Sequence, residues 1–247
     1  MTLPTQTLKN PVFCAVDTPD VGQATALAAK IADTVGGLKL GLEFFSANGP
    51  KGVQQVHKAS DLPLFLDLKF HDIPNTVAGA VRAAATAVKP YMMTLMAAGG
   101  RAMMQAAAKA ATDVSYELIV PRPLLLGVTV LTSFDADDLV ETGVSGAVAD
   151  QVRRLAALAK DSGLDGVVCS PLEAEVLRND LGPDFKLVTP GVRPTWADAN
   201  DQKRIMTPQE AVQAGASYLV IGRPISGAQD PAAAAARIAL ELGATPA

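Results

Sequence analysis

The stretch "FLDLKFHDIPNT", residues 65–76, sets Asp67, Lys69, His71 and Asp72 at the end of an apolar run that reads as a buried strand. A charge in such a place forfeits much of its solvation unless an opposite charge or hydrogen bonds replace the water. Residues two apart in a strand share a face, so Asp67 and Lys69 point together while Leu66, Leu68 and Phe70 point the other way. The apolar side suits packing against helices, which turns the charges toward the inside or the mouth of a sheet. Lys39, near the end of "GLKL", is a second cation able to approach Asp67. The plainest reading is an ion-pair cluster that fixes strand register. The sharper one is a pre-set group of charges used for chemistry. A divalent cation between Asp67 and Asp72 is disfavoured, because the lysines already supply positive charge where it would sit. His71 reads as structural.

The elements that must position these residues alternate along the chain. Short, largely apolar runs fall at "VFCAV" (12–16), "GLKL" (37–40), "LFLDL" (64–68), "MMTL" (92–95), "LLLGVTV" (124–130), "GVVC" (166–169), "KLVT" (186–189) and "YLVIG" (218–222). Between them lie Ala-rich or amphipathic segments with helix signals. Asp20 and Thr207 suit N-caps, Pro171 and Pro208 suit first turns, and Gly163 and Gly215 suit helix ends. Strands separated by helices imply right-handed parallel crossovers. Eight such units predict a closed α/β fold, a (β/α)₈ TIM barrel. The length of 247 residues agrees, since such barrels run to roughly 250. No glycine-rich dinucleotide turn follows the first strand, and no linker interrupts the chain, so residues 1–247 read as one domain.

Composition narrows the partners. Hydrophobic residues make up 49% of the chain and aromatics only 4%, which predicts a core of Ala, Val, Leu and Ile and argues against stacked-base recognition. A net charge of −4 disfavours nucleic acid, which calls for a cationic field. No apolar run is long enough to span a membrane and the first residues show no secretory signal, so no membrane partner is expected. Cys14 and Cys169, far apart in apolar runs, read as buried thiols of a reducing, cytoplasmic protein rather than as a disulfide or metal framework.

In a barrel of this kind the chemistry sits on the loops at the C-terminal ends of the strands. That rule selects Asp17, Lys39, Asp67, Lys69, Thr132, Arg193, Gly222 and Arg223. In "VIGRP" a Gly and an Arg follow the last strand, where barrels commonly bind phosphate; Gly222 admits the backbone and Arg223 offers paired charged hydrogen bonds. The connection "PGVRPTWADANDQKR" is long for its place, and such loops often act as lids. The acidic "DADD" (135–138) reads as a helix start.

The segment "DLKFHDIPNT" matches the Asp-x-Lys-x-x-Asp-Ile-Pro-x-Thr signature of the orotidine 5′-monophosphate decarboxylase family. The chain also resembles that family at "AVDTPD", "LKLGLEFF", "GVTVLTS", "TPGVRP", "DQKRIMTP" and "VIGRP". The resemblance implies a homodimeric barrel that converts orotidylate to uridylate in pyrimidine synthesis with no cofactor and no metal. It implies that Lys69 protonates the ring carbon after CO₂ leaves, within a row formed by Lys39, Asp67, Lys69 and Asp72, whose carboxylates favour the charged ammonium. By the same resemblance Asp17 contacts the ribose, Thr132 the pyrimidine side, and Arg193 and Gln202 other parts of the substrate, while Asp72, Ile73 and Thr76 reach the partner subunit's site. One departure stands out. After the fourth strand the family pattern has His-Ala-Ser-Gly-Gly, where this chain has "MAAGG" (96–100), so Met96 and Ala98 replace polar residues.

Two other readings compete. Metal-dependent barrels acting on sugar phosphates share the Asp-x-Lys-x-x-Asp core but lack the Ile-Pro-x-Thr extension. A non-catalytic nucleotide sensor would have no use for so costly a charged cluster.

Overall fold

The computed structural model describes residues 8–197 and 206–243. Among these, eight parallel strands close into a barrel in sequence order. They are β1 (Val12–Ala15), β2 (Gly37–Gly41), β3 (Leu64–Phe70), β4 (Met92–Met96), β5 (Leu124–Val128), β6 (Gly166–Val168), β7 (Lys186–Pro190) and β8 (Tyr218–Ile221). The crossovers carry α1 (Val21–Ile31), α2 (Leu42–Ser60), α3 (Pro74–Val88), α4 (Gly100–Leu118), α5 (Ala136–Glu141), α6 (Val148–Asp161), α7 (Ala174–Leu181) and α8 (Pro208–Gln213). After β8 come the single turn α9 (Arg223–Ser226) and α10 (Pro231–Glu241).

The helix signals act as the sequence suggests. The Asp20 carboxylate accepts from the Gln23 backbone at 2.8 Å. Thr207 and Glu210 form a reciprocal capping box ahead of α8, as Asp135 and Asp138 do ahead of α5. Gly163 and Gly215 end α6 and α8 in the left-handed region, at φ +83° and +105°, where a side chain would be strained. Strand β5 stops at Val128, two residues before the expected end; the Thr129 hydroxyl donates to Val168 O at 3.1 Å as the chain leaves the ladder.

Two apolar layers result. Between strands and helices the core is mainly Ala, Val, Leu and Ile, as composition predicts, with Met93, Met103, Met104, Phe44 and Phe185 added to it. The barrel interior departs from that prediction. Its lower layer is aromatic: the Phe13 ring lies 6.2 Å from Phe65, 6.1 Å from Tyr91 and 5.7 Å from Tyr218, centroid to centroid. The two tyrosine hydroxyls meet at 2.9 Å. A whole-chain average hides this clustering because the inward face of a small barrel offers few positions. Gly37 makes the room, since a Cβ there would lie 2.2 Å from the Phe13 ring. With the N-terminal end filled, the open end is the one carrying the C-terminal ends of the strands.

Cys14 and Cys169 are buried and unpaired with each other. Burial, with Asp17 adding to it, pushes the Cys14 thiol up to about 12, and burial raises Cys169 as well. Both remain protonated packing groups at neutral pH. No helix among the described residues is long and apolar enough to cross a membrane.

Candidate active site

Strand β3 does not end as a regular strand. Leu66 pairs with Met93 on β4, and the next pair is Phe70 with Leu95. Residues 67–69 therefore stand against Thr94 alone, and β3 bulges toward the mouth. Within the bulge Lys69 takes φ +50°, a left-handed conformation that costs a non-glycine residue on the order of 1–3 kcal/mol. The Lys69 backbone N–H donates to Thr94 Oγ1 at 2.9 Å instead of to a ladder carbonyl. Asp67 and Lys69 share a face as expected, but a strained bulge brings them together.

The resulting geometry is a row of alternating charge. Lys69 Nζ lies 3.0 and 2.9 Å from the two oxygens of Asp67. On the other side of Asp67, Lys39 Nζ stands 3.8 Å from Oδ2, and 3.3 Å from Asp17 Oδ1. The Asp67 side chain is only 15% exposed and that of Lys39 13%, whereas Lys69 is 30% and Asp17 65% exposed. The row thus runs from a wetted carboxylate inward and back to a half-accessible ammonium. Gly41 keeps it uncrowded, because a Cβ there would come within 3.2 Å of Lys39 Nζ.

Asp72 does not extend this row within one chain. It is exposed and accepts from the Ile73 backbone at 2.6 Å. The carboxylate at the far end is Asp17, which sequence spacing alone did not join to the row. Asp72, Ile73 and Thr76 sit together and exposed around the start of α3, with Ile73 at 67%. His71 is exposed beside them.

The remaining candidates ring the same mouth. Thr132 lies on the turn after β5 and lines a cleft of about 740 Å³ with Ser133, Ser170, Pro190 and Gly191. That volume falls within the roughly 300–1,000 Å³ usual for small-molecule sites. The cleft spans the ends of β5 to β7 and does not include the charged row on β1 to β3. Gly222 closes the circle: a Cβ there would lie 3.4 Å from Ala15 Cβ and 3.7 Å from Asp17 Oδ2. Arg223 follows it, exposed, as the first residue of α9. Arg193 is buried, and its backbone N–H donates to Met206 O at 3.0 Å, tying the two ends of the long connection after β7. Near the first of those ends, the Trp196 indole donates to Glu241 at 2.8 Å with Arg237 over its ring. Gln202 and the rest of the segment 198–205 lie outside the described residues. Met96 ends β4 partly buried, and Ala98 is exposed in the turn that follows.

Thr94 is the residue that sequence reading passed over. It is fully buried, and its hydroxyl donates to Asp67 Oδ1 at 2.8 Å. A polar residue in "MMTLM", at an inward position beside Asp67, was the available signal. Ser133 and Ser170 were missed for a different reason: neither carries a motif apart from the cleft that gathers them.

Known proteins resemble this chain along nearly its whole length. The model of the orotidine 5′-phosphate decarboxylase / HUMPS family matches residues 10–238. A Rhodospirillum rubrum protein named orotidine 5′-phosphate decarboxylase is 63% identical over 237 residues, covering 96% of each chain. One of the same name from Paramagnetospirillum magneticum is 53% identical, over 95% of this chain and 99% of its own. The crystal structure of orotidine 5′-phosphate decarboxylase from Lactobacillus acidophilus superposes with a TM-score of 0.82 at 37% identity, covering 95% of this chain and 99% of that one.

The row generates a stability prediction. Asp67→Asn keeps the shape of the side chain but removes the charge between Lys39 and Lys69. The expected loss is about 1–3 kcal/mol in chemical denaturation, less than for a fully dry pair because the mouth is wetted. Unchanged stability would mean that the carboxylate does not hold the two cations.

Proposed function

The chain belongs to the orotidine 5′-phosphate decarboxylase / HUMPS family, and we propose that it converts orotidine 5′-monophosphate to uridine 5′-monophosphate and CO₂ without a cofactor. The observation that carries this reading is the Lys69 ammonium, held at about 3 Å from both oxygens of Asp67 at the open end of the barrel. The family name spans more than one activity. The Ile73-Pro74-Asn75-Thr76 extension and the 63% identity to a protein named as the decarboxylase favour this branch over the metal-dependent one.

Loss of CO₂ breaks the C6–carboxylate bond and leaves its electron pair on C6, in the plane of the ring, where the π-system stabilises it poorly. A barrier reduction on the order of 20 kcal/mol is required. Lys69 contributes to it through position: its ammonium attracts the developing charge, then an N–H proton passes to C6, and the amine left behind takes a proton from solvent to become the ammonium again. Asp67 orients that ammonium and stands where it crowds the departing carboxylate, with Lys39 holding Asp67 from behind. Donor chemistry favours a metal-free reading. Two ammonium groups flank Asp67 where a cation would bind, and among the described residues no three His, Cys, Asp or Glu side chains converge on one point.

The rest of the mouth then fits one nucleotide. Asp17 takes the ribose hydroxyls, Thr132 contacts the side of the pyrimidine, and Gly222 with Arg223 takes the phosphate; Arg193 and Gln202 complete the contacts. The closeness of Gly222 to Asp17 supports this order, since ribose and phosphate are adjacent in the ligand. A homodimer completes the site, with Asp72, Ile73 and Thr76 reaching the partner subunit's mouth. The exposure of Ile73, and an Asp72 carboxylate facing no cation of its own chain among the described residues, support that assignment. Two buried free thiols suit a reducing cytoplasm.

Three experiments test this. Purified protein treated with a chelator is expected to release CO₂ from orotidylate at an undiminished rate. Lys69→Ala should lower turnover by at least roughly 10,000-fold while uridylate still binds measurably. Near-normal turnover in that variant would remove Lys69 from the proton-donor role. For the phosphate end, Arg223→Ala should weaken uridylate binding roughly 10- to 100-fold and leave uridine binding unchanged. Equal weakening of both ligands would contradict the assignment.

A further inference from the structure

The geometry points to Thr94 as a positioning residue for the decarboxylation, and we infer that its hydroxyl sets where the Lys69 ammonium stands. This rests on the function proposed above, and deepens it. Thr94 is the third residue of β4 and has no exposure to solvent, so it acts only through its neighbours. On its β5 side it keeps normal ladder register with Leu126. On its β3 side three residues, Asp67 to Lys69, face it without a ladder partner.

A hydroxyl has one proton to give and lone pairs to accept with. Here both functions are committed to the two ends of one ion pair. The proton goes to Asp67 Oδ1 at 2.8 Å, and the oxygen receives the Lys69 backbone N–H at 2.9 Å. Asp67 is thereby held by its side chain and Lys69 by its main chain. Lys69 is also the residue whose backbone lies at φ +50°, a conformation that persists only where its surroundings over-determine it. The Nζ of a four-carbon side chain goes where its Cα is placed. If the bulge relaxed, Nζ would move relative to any atom bound at the mouth, and displacements of about 1 Å cost catalysis on the order of 100-fold. Neither Met93 nor Leu95, the β4 neighbours of Thr94, can make either bond.

A merely structural hydroxyl would satisfy the bulge and leave the rate alone, so the test separates rate from binding. Thr94→Val removes the hydroxyl at nearly constant shape; Thr94→Ser retains it. The expected result is a kcat lowered roughly 10- to 100-fold in the Val variant, with the Kd for uridylate within about threefold of wild type. The Ser variant should return kcat to within about fivefold. A crystal structure of the Val variant should show Lys69 out of the left-handed region and Nζ displaced from Asp67, a readout independent of activity. If the Val variant does not fold, Thr94→Ala, assayed below its melting midpoint, should show the same loss of kcat. A kcat within about twofold of wild type in the variant lacking the hydroxyl, a loss confined to uridylate affinity, or a Ser variant as slow as Val would overturn the role of Thr94. An inactive wild-type protein would instead overturn the proposed function, leaving the crystallographic prediction to stand or fall separately.

Discussion

One carboxylate between two ammonium groups organises the mouth of this barrel. Asp67 is mostly buried, and so is Lys39 behind it. Neither would be tolerated there alone, since removing one member of a buried pair leaves a charge that has lost its water without compensation. The row Asp17, Lys39, Asp67, Lys69 is neutral in sum, with its inner members dry and its ends wet. That arrangement lets an ammonium stand at the edge of a pocket with its direction already set. Little reorganisation is then left for the moment when a ligand carries negative charge to it.

The barrel makes such a row possible by dividing its interior. Phe13, Phe65, Tyr91 and Tyr218 fill the N-terminal end, with Gly37 giving up its side chain so that the Phe13 ring fits. Above them the inward positions change from apolar to charged within two residues along β2 and β3, from Gly37 to Lys39 and from Phe65 to Asp67. Dispersion and burial carry stability below, so the upper layer can hold strained and charged groups. The left-handed Lys69 and the bulge around it belong to that upper layer. Among the described residues the other left-handed non-glycine positions, Asp61, Lys89 and Ile119, are helix C-caps, so Lys69 is the one that lies inside a strand.

Much of this was legible in the residues. All eight strands follow from short, largely apolar runs between helical segments, and the caps at Asp20, Thr207 and Asp135 follow from the preference of short oxygen side chains for helix starts. Asp67, Lys69 and Lys39 were visible because charges in apolar strands are conspicuous. Three things were hidden, each for a physical reason. The aromatic floor was masked by averaging over the chain. The bulge was masked because a strained φ at a lysine leaves no mark on its residue type, unlike one at a glycine. Asp17 joins the row through the pairing of β1 with β2, which sets Ala15 beside Lys39 at a register no local pattern encodes. Thr94 was legible in principle and overlooked because a threonine in a strand is unremarkable until its neighbour is known.

The central claim is that the charged row aims the Lys69 ammonium at the ring carbon that loses CO₂. A crystal structure with uridylate bound measures this directly. The account predicts Lys69 Nζ at roughly 3–3.5 Å from C6, still in contact with Asp67. An active protein whose Lys69 points away from the pyrimidine, with Asp67 and Lys39 only bracing the barrel wall, would contradict it.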